Sequence, residues 1–271
     1  MKSPGQAGKA WDHGTNEEFF EYYSNASLTE DTRRRFTSIM DMMYRVMGPD
    51  KSARTLDVAD IGCGAGTQCR LWAEKGHRVH GLDINRKLVE LAGQRAREDN
   101  LDIDFRVGSA TDLPFEDDSM DVCLAPELLE HVEEWEPCMR EFTRILKPGG
   151  LLYVSTTNKL CPVQQEFDLP FYSWYPAPLK RHYERLSVTT RPELVNHAKY
   201  PAIHWFTFYG LRAWLRERHF ESQDRFDVTS LEDKGLAGRF VIRLIRRLPP
   251  VRFLAQMATS GTTVVAIKRE A

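Results

Sequence analysis

The run Asp60-Ile61-Gly62-Cys63-Gly64-Ala65-Gly66 constrains this chain more than any other stretch. It lies between a short apolar run, Thr55–Ile61, and a segment with helical spacing, Thr67–Lys75, that stops at Gly76. A strand that passes into a helix through alternating glycines makes a sharply turned loop. Its main chain can approach a ligand closely because no Cβ stands in the way. The helix that follows aims its unsatisfied N–H groups at the same place.

The alternation continues downstream. Arg78–Leu82 reads as a strand ending at Asp83, and Arg86–Glu98 as a helix with Leu88, Leu91 and Ala92 on one face. Ile103–Val107, Met120–Leu124 and Leu151–Ser155 read as strands. Trp135–Leu146 reads as a helix stopped by Lys147-Pro148-Gly149-Gly150. This predicts an α/β fold, a doubly wound, Rossmann-like parallel sheet with helices on both faces. Such sheets bind ligands beyond the carboxyl ends of their strands, so the loops after Ile61, Leu82, Val107 and Leu124 should line one crevice.

With 271 residues, the chain is long enough for a single domain over 1–271 that carries insertions. Residues 1–54 read as N-terminal helices, near 16–24 and 29–47, behind a disordered start over 1–14. The second has Phe36, Ile39, Met40, Met43 and Val46 at helical spacing. Residues 157–207 break the alternation. They carry Phe167, Phe171, Tyr172, Trp174, Tyr175, Tyr183, Tyr200, Trp205 and Phe206 among prolines, as an aromatic-rich lid insertion would. A helix near Tyr209–Glu217 follows, then late strands near Arg225–Thr229 and Thr262–Lys268, with a basic amphipathic insertion over 231–261 between them.

A formal net charge of −2 gives no bulk attraction for nucleic acid, and none is expected as a partner. Five cysteines without zinc-finger or CxxC spacing read as buried thiols of a cytoplasmic protein. The start, MKSPGQAGKAWDHG, has no apolar core of a secretory signal, and no apolar run has the length of a membrane span.

Spacing separates two cofactor classes. A dinucleotide loop reads GxGxxG, whereas glycines at 62, 64 and 66 give GxGxG with Thr67 next. Asp83 can take two ribose hydroxyls, a role common to both classes. With DIGCGAG at 60–66, GLDIN at 81–85, GSATDLPF at 108–115, PELLEHV at 126–132 and LKPGGLLYVST at 146–156, the chain resembles class I S-adenosylmethionine (SAM) dependent methyltransferases. The resemblance covers roughly 55–156 and implies a seven-stranded sheet closed by a C-terminal antiparallel hairpin. It implies that Gly62, Cys63, Gly64 and Gly66 pass under the cofactor and that Asp60 approaches its amino group. It gives Asp83 and Ile84 to the ribose side, Ser109 and Ala110 to the adenine edge, and Ala125 to the sulfonium end. Many relatives have Asp where this chain has Ser109, which weakens adenine selectivity without abolishing binding.

The acceptor side is less constrained. If Glu127, Glu130 and His131 lie on a helix, they share one face and could hold a divalent ion such as Mg. This ExxEH pattern resembles ubiquinone-biosynthesis O-methyltransferases and small-RNA 2′-O-methyltransferases. In the alternative, Glu130 and His131 are structural and Glu127 is a chance acid. His204, in His204-Trp205-Phe206-Thr207, is a candidate base or a packed core histidine, and His182 is a weaker candidate. With His131 and His204 as catalytic candidates, a hydroxyl acceptor is favoured, since it most needs its proton removed. N- or C-methylation without metal is the rival, and a non-catalytic SAM-fold binding protein is a remoter one. A nicotinamide oxidoreductase is disfavoured by the loop spacing. The chain has no Asn/Asp-Pro-Pro-Tyr after the fourth strand, which argues against base or glutamine N-methylation. The aromatic insertion suits a small-molecule acceptor bearing a ring or lipid tail. Residues 236–253, with Arg239, Arg243, Arg246 and Arg247 beside an apolar stripe, suit either peripheral membrane contact or an ordinary packed helix with solvated arginines.

Overall fold

A computed structural model describes residues 17–163, 167–187, 189–195, 202–232 and 234–270. The expected disorder over 1–14 and the aromatic Tyr200 lie outside the described residues. Three helices come first: α1 (Glu17–Ala26), α2 (Glu30–Met47) and the short α3 (Pro49–Ser52). Thr29 caps α2, its side chain accepting from the Thr32 N–H, and Ile39, Met40 and Met43 form the buried stripe.

The chain then runs β1 (Asp57–Ile61), α4 (Thr67–Ala73), β2 (Arg78–Asp83), α5 (Arg86–Glu98), β3 (Ile103–Val107), β4 (Met120–Pro126), α6 (Trp135–Ile145) and β5 (Leu146–Thr157). Beyond the aromatic segment come α8 (Phe208–Arg216), β6 (Phe220–Asp224), α9 (Arg225–Val228), α10 (Leu236–Arg247), α11 (Pro249–Met257) and β7 (Gly261–Lys268); α7 (Ala177–Ser187) lies within that segment. All seven strands join one sheet in the order β3-β2-β1-β4-β5-β7-β6. β1 to β5 are parallel, and β7 runs antiparallel to both β5 and β6. This is the α/β Rossmann-like methyltransferase fold, with the C-terminal antiparallel hairpin that the resemblance implied. Strand order reverses between β1 and β4, which opens a crevice at their carboxyl ends.

The central strands are covered on both faces. Ile61, Leu124 and Val154 are almost fully buried, as strands sandwiched between helices must be. Alternation splits the core. Leu152 and Val154 pack with Phe142 of α6 and Leu215 of α8, while Leu151 and Tyr153 pack with Met43 of α2 and Trp72 of α4. All five cysteines are buried and outside any disulfide.

Two elements differ from the sequence expectation. The strand expected at Arg225–Thr229 is the helix α9, and the strand is Phe220–Asp224 just before it. The residue responsible is Asp224. Its side chain accepts from the Phe226 and Asp227 N–H groups while Asp227 reaches back to its own N–H, a reciprocal cap that starts a helix despite the β-favouring Phe and Val. The basic segment is two helices rather than one, because Pro249 and Pro250 cannot continue α10 and instead open α11. Arg252 bonds Asp224 at 2.7 Å and also pairs with Asp227, and Gln256 donates to Asp224 at 2.7 Å. These contacts fasten the inserted helices to the base of the hairpin.

The aromatic segment packs on itself. Phe167 stacks on Tyr172 with ring centroids 3.9 Å apart, Trp205 lies edge-on to Tyr172, and Leu194 completes a small separate cluster.

Candidate active site

The glycine loop takes its shape from β1 and β2. The Gly62 and Cys63 N–H groups donate to the Leu82 carbonyl at 2.8 and 3.1 Å, so the loop begins pinned to the neighbouring strand. Gly62, Gly64 and Gly66 have φ of 77°, 52° and 76°, a region that a side chain disfavours. The space available differs along the loop. A Cβ on Gly66 would come within 2.8 Å of the Ala92 Cβ, whereas one on Gly64 would meet nothing within 4 Å. Gly66 is therefore required for helix packing, and Gly64 faces open space where a ligand can lie.

Asp83 is held against that open face. Its Oδ2 accepts from the Gly64 N–H at 2.9 Å and its Oδ1 from the Asn85 N–H at 2.8 Å. Each carboxylate oxygen keeps a further lone pair, so two vicinal hydroxyls could donate to it. Burial pushes the Asp83 carboxyl above its ordinary value, against the lowering pull of the Asn85, Gly64 and Ile84 N–H groups. Ile84 is exposed beside it, and Ser109 is exposed at the head of the loop after β3. The Ser109 hydroxyl already shares a 2.8 Å hydrogen bond with Thr111. Ala110 is half-buried and Ala125 fully buried at the end of β4. An open glycine cradle, a doubly anchored carboxylate and an exposed apolar side chain beside it fit a SAM-sized nucleoside cofactor.

Asp60 lies beneath the loop, 1% exposed. Gln68 Nε2 donates to it at 3.2 Å, and the Cys69 thiol at 3.2 Å. Burial drives its carboxyl up to about 7; the Cys69 hydrogen bond opposes this and the nearby Asp83 adds to it. No pattern in the sequence marks Gln68 and Cys69 as partners of Asp60, although both sit on the first turn of α4, just after the loop.

The ExxEH segment does not behave as the helical reading requires. Residues 127–134 form a series of turns between β4 and α6. Glu127 leaves β4 with φ of 52°, and its Oε2 meets Arg35 Nη1 of α2 at 2.6 Å. Glu130 is buried and His131 half-buried. Among the described residues, no three His, Cys, Asp or Glu side chains converge as metal ligands. Glu127, Glu130 and His131, the expected metal set, are not brought together as a ligand cluster here, and Glu127 reaches an arginine instead.

His204 packs on the backbone of these turns. Its Nε2 lies 3.1 Å from the Glu133 carbonyl, which can only accept, so Nε2 carries the proton and Nδ1 holds the lone pair in the neutral ring. The Ile203 N–H donates to the Glu130 carbonyl at 2.8 Å, and the Thr157 hydroxyl donates to the His204 carbonyl at 2.8 Å. The end of β5, the turns after β4 and the segment before α8 are thus joined. His182 lies apart, on α7.

Residues 59–154 match a family model described as a methyltransferase domain. The match is confined to this central segment of the chain. It is similar to the ubiquinone biosynthesis O-methyltransferase of Rhizobium leguminosarum bv. trifolii, 35% identical over 129 residues, covering 46% of this chain and 51% of that protein. The protein of the same name from Pelagibacter ubique is 31% identical over 116 residues, 43% of this chain and 48% of that one. The chain spans about half the length of the curated relatives it matches. In fold, it is similar to the PH0226 protein from Pyrococcus horikoshii OT3, with a TM-score of 0.57, 18% identity, and coverage of 93% and 99% of the two chains. An S-adenosylmethionine dependent methyltransferase from Mesorhizobium loti aligns with a TM-score of 0.53 and 21% identity, over 82% of this chain and 94% of that one.

Proposed function

We propose that this protein moves a methyl group from SAM to a small-molecule acceptor, at a hydroxyl oxygen. The observation that carries the reading is Asp83, locked by the Gly64 and Asn85 N–H groups over a loop whose glycine conformation leaves room for a nucleoside. SAM supplies an electrophilic methyl on a sulfonium sulfur. The chain's own task is to bind, align and deprotonate. Gly62, Cys63, Gly64 and Gly66 cradle the cofactor, Asp83 takes the ribose hydroxyls with Ile84 against the rings, and Asp60 compensates the amino group. Ser109 and Ala110 edge the adenine, and Ala125 walls the sulfonium end. His204, with its proton held at Nε2 by the Glu133 carbonyl, offers Nδ1 as the base for the acceptor hydroxyl. Since Glu127 is turned away, no step relies on a metal held by Glu127, Glu130 and His131, and His131 serves to shape the turn. The relatives named as ubiquinone biosynthesis O-methyltransferases favour oxygen over the rival, nitrogen or carbon.

The acceptor is ring-bearing or lipid-tailed in this reading, and the protein meets it as a peripheral protein at a membrane surface, over a lid formed by 157–207. The supporting observation is α10. An ordinary amphipathic helix buries its apolar face, yet here only Ile245 is buried, while Leu236, Phe240 and Leu254 of α11 are 86%, 66% and 64% exposed. The exposed Arg243 and Arg247 flank that stripe, as an anionic lipid surface would favour. Among the described residues, no helix is long and apolar enough to cross a membrane.

Two measurements test the proposal. Calorimetry with S-adenosylhomocysteine (SAH) and NADH should give binding of the first only; tight NADH binding without SAH binding would overturn it. Turnover of SAM against a panel of phenols and amines, read as SAH formed, should favour the phenols; amine-only turnover would move the assignment to nitrogen.

A further inference from the structure

A second recess lies outside the cofactor loop. A cleft of about 220 Å³ opens where the ends of β4 and β5 meet the start of β7, beneath α2 and α9. Arg35, Glu127, Tyr153, Ser155, Arg225 and Thr263 line it. None of these was a sequence candidate except Glu127.

The charges in this cleft do not balance. Arg35 is paired with Glu127 at 2.6 Å. Arg225, half-buried at the start of α9, makes only a 3.5 Å contact to the Thr263 hydroxyl and forms no ion pair among the described residues. Tyr153 is 5% exposed, and burial pushes its phenol above the ordinary value, with Ser155 pulling the other way. All three ionic groups line this one cleft together with the buried Tyr153. Two guanidiniums against one carboxylate leave an excess positive charge in a recess with neutral donors around it. A partly desolvated guanidinium without an acid partner is costly, and an oxyanion that accepts from two of its N–H groups relieves that cost. Glu127 also holds φ of 52°, an unfavourable conformation for a glutamate, fixed by its N–H donating to the Ser155 carbonyl at 2.8 Å. Glu127 stands two residues beyond Ala125, and the cleft opens at the carboxyl ends of β4 and β5.

We propose that this cleft takes an oxyanion, a carboxylate or phosphate, carried by the methyl acceptor, with Arg225 as its main ligand and Arg35 shared between it and Glu127. The acceptor part of this assignment rests on the methyltransferase reading.

The test is calorimetry on the full chain, with and without saturating SAH, using benzoate, phenyl phosphate and the uncharged benzamide. At least one anion should bind about tenfold or more tighter than benzamide, and the better of the two names the source. Arg225→Gln should erase that preference, and Arg225→Lys should keep part of it. Glu127→Gln should tighten anion binding, because it removes the competing carboxylate. Equal binding of all three probes, or an anion preference that survives Arg225→Gln, overturns the oxyanion site. Absence of SAH binding in the unaltered protein would instead overturn the methyltransferase reading and with it the link to an acceptor, while the probe series still decides the anion site. Thermal melts of each variant show that it is folded when titrated.

Discussion

The two halves of the sheet build their sites in different ways. From β1 to β4, each candidate cofactor residue sits at a strand end or in the turn that follows, within a few residues of a recognisable pattern. Around the ends of β4, β5 and β7, the groups that face one another come from far apart in the chain: Arg35 with Glu127, Arg225 with Thr263, His204 with the Glu133 carbonyl. The first half is a local device repeated along a parallel sheet. The second is an assembly of insertions, and its chemistry depends on which segments happen to be packed together. Cofactor contacts should therefore tolerate changes in the second half, and acceptor chemistry should be lost there without loss of cofactor.

The sharpest way to break that division is His204→Ala. Loss of a positioned base should lower kcat by about 10²–10⁴-fold while SAH affinity stays within about twofold. Equal losses in both would mean that His204 supports the whole crevice rather than the proton transfer. Asp83→Ala should do the reverse, weakening SAH by about 100-fold as two charge-assisted hydrogen bonds are lost. Calorimetry at constant salt measures it, and a near-normal affinity would remove Asp83 from the ribose.

Asp60 gives a pH signature confined to the cofactor half. Its carboxyl titrates near 7 in the free protein, and a cationic amino group needs it ionised. SAM affinity should fall by up to about tenfold per pH unit below 7, and Asp60→Asn should flatten the profile. The sign for folding is opposite. A pKa raised above the unfolded value of 3.8 means that the folded protein holds this proton more tightly, so the contribution to stability is full below about pH 4 and is lost as pH rises through 7. Thermal melts of the cofactor-free protein across that window would show the decline, and Asp60→Asn would remove it.

Smaller effects separate the remaining readings of the second half. Replacing Phe240 and Leu244 together by Ser should reduce flotation with anionic vesicles by about tenfold without moving the melting temperature, since both side chains are exposed. No flotation of the unaltered protein at low or high salt would end the membrane reading. Chelator should change turnover by less than about twofold, because Glu127 is committed to Arg35 rather than to a ligand cluster. A large loss restored by Mg would bring the ExxEH segment back as a metal site.

Legibility in the sequence followed the same boundary. The strand–turn–helix order, the loop at 62–66 and Asp83 could be read because each is a contiguous pattern whose physical cause is local: φ values open to glycine, hydrophobic periodicity, and an acid at a strand end. The departures at Arg225–Thr229 and at 127–134 also have local causes, but weaker ones. Asp224 starts a helix through a reciprocal cap that competes with the strand propensity of Arg225–Thr229, and propensity alone favours the wrong side. The ExxEH face assumed a helical period that 127–134 lacks, since β4 exits through a left-handed Glu127. Nothing in the neighbourhood of Arg35 or Arg225 marks them as partners of the β4–β5 ends.

By itself, then, the amino-acid order determined the parallel sheet, the glycine loop and the acid poised over it. Each follows from short-range sterics and from side-chain period along one stretch of chain. Only the tertiary structure decided which way Glu127 points, which nitrogen of His204 keeps its proton, and that the apolar stripe of α10 faces outward. Those outcomes depend on Arg35, on the Glu133 carbonyl and on the carbonyls of Phe226, Asp227 and Thr229 that hold Arg246 of α10, and such long-range neighbours are chosen by packing rather than by sequence proximity.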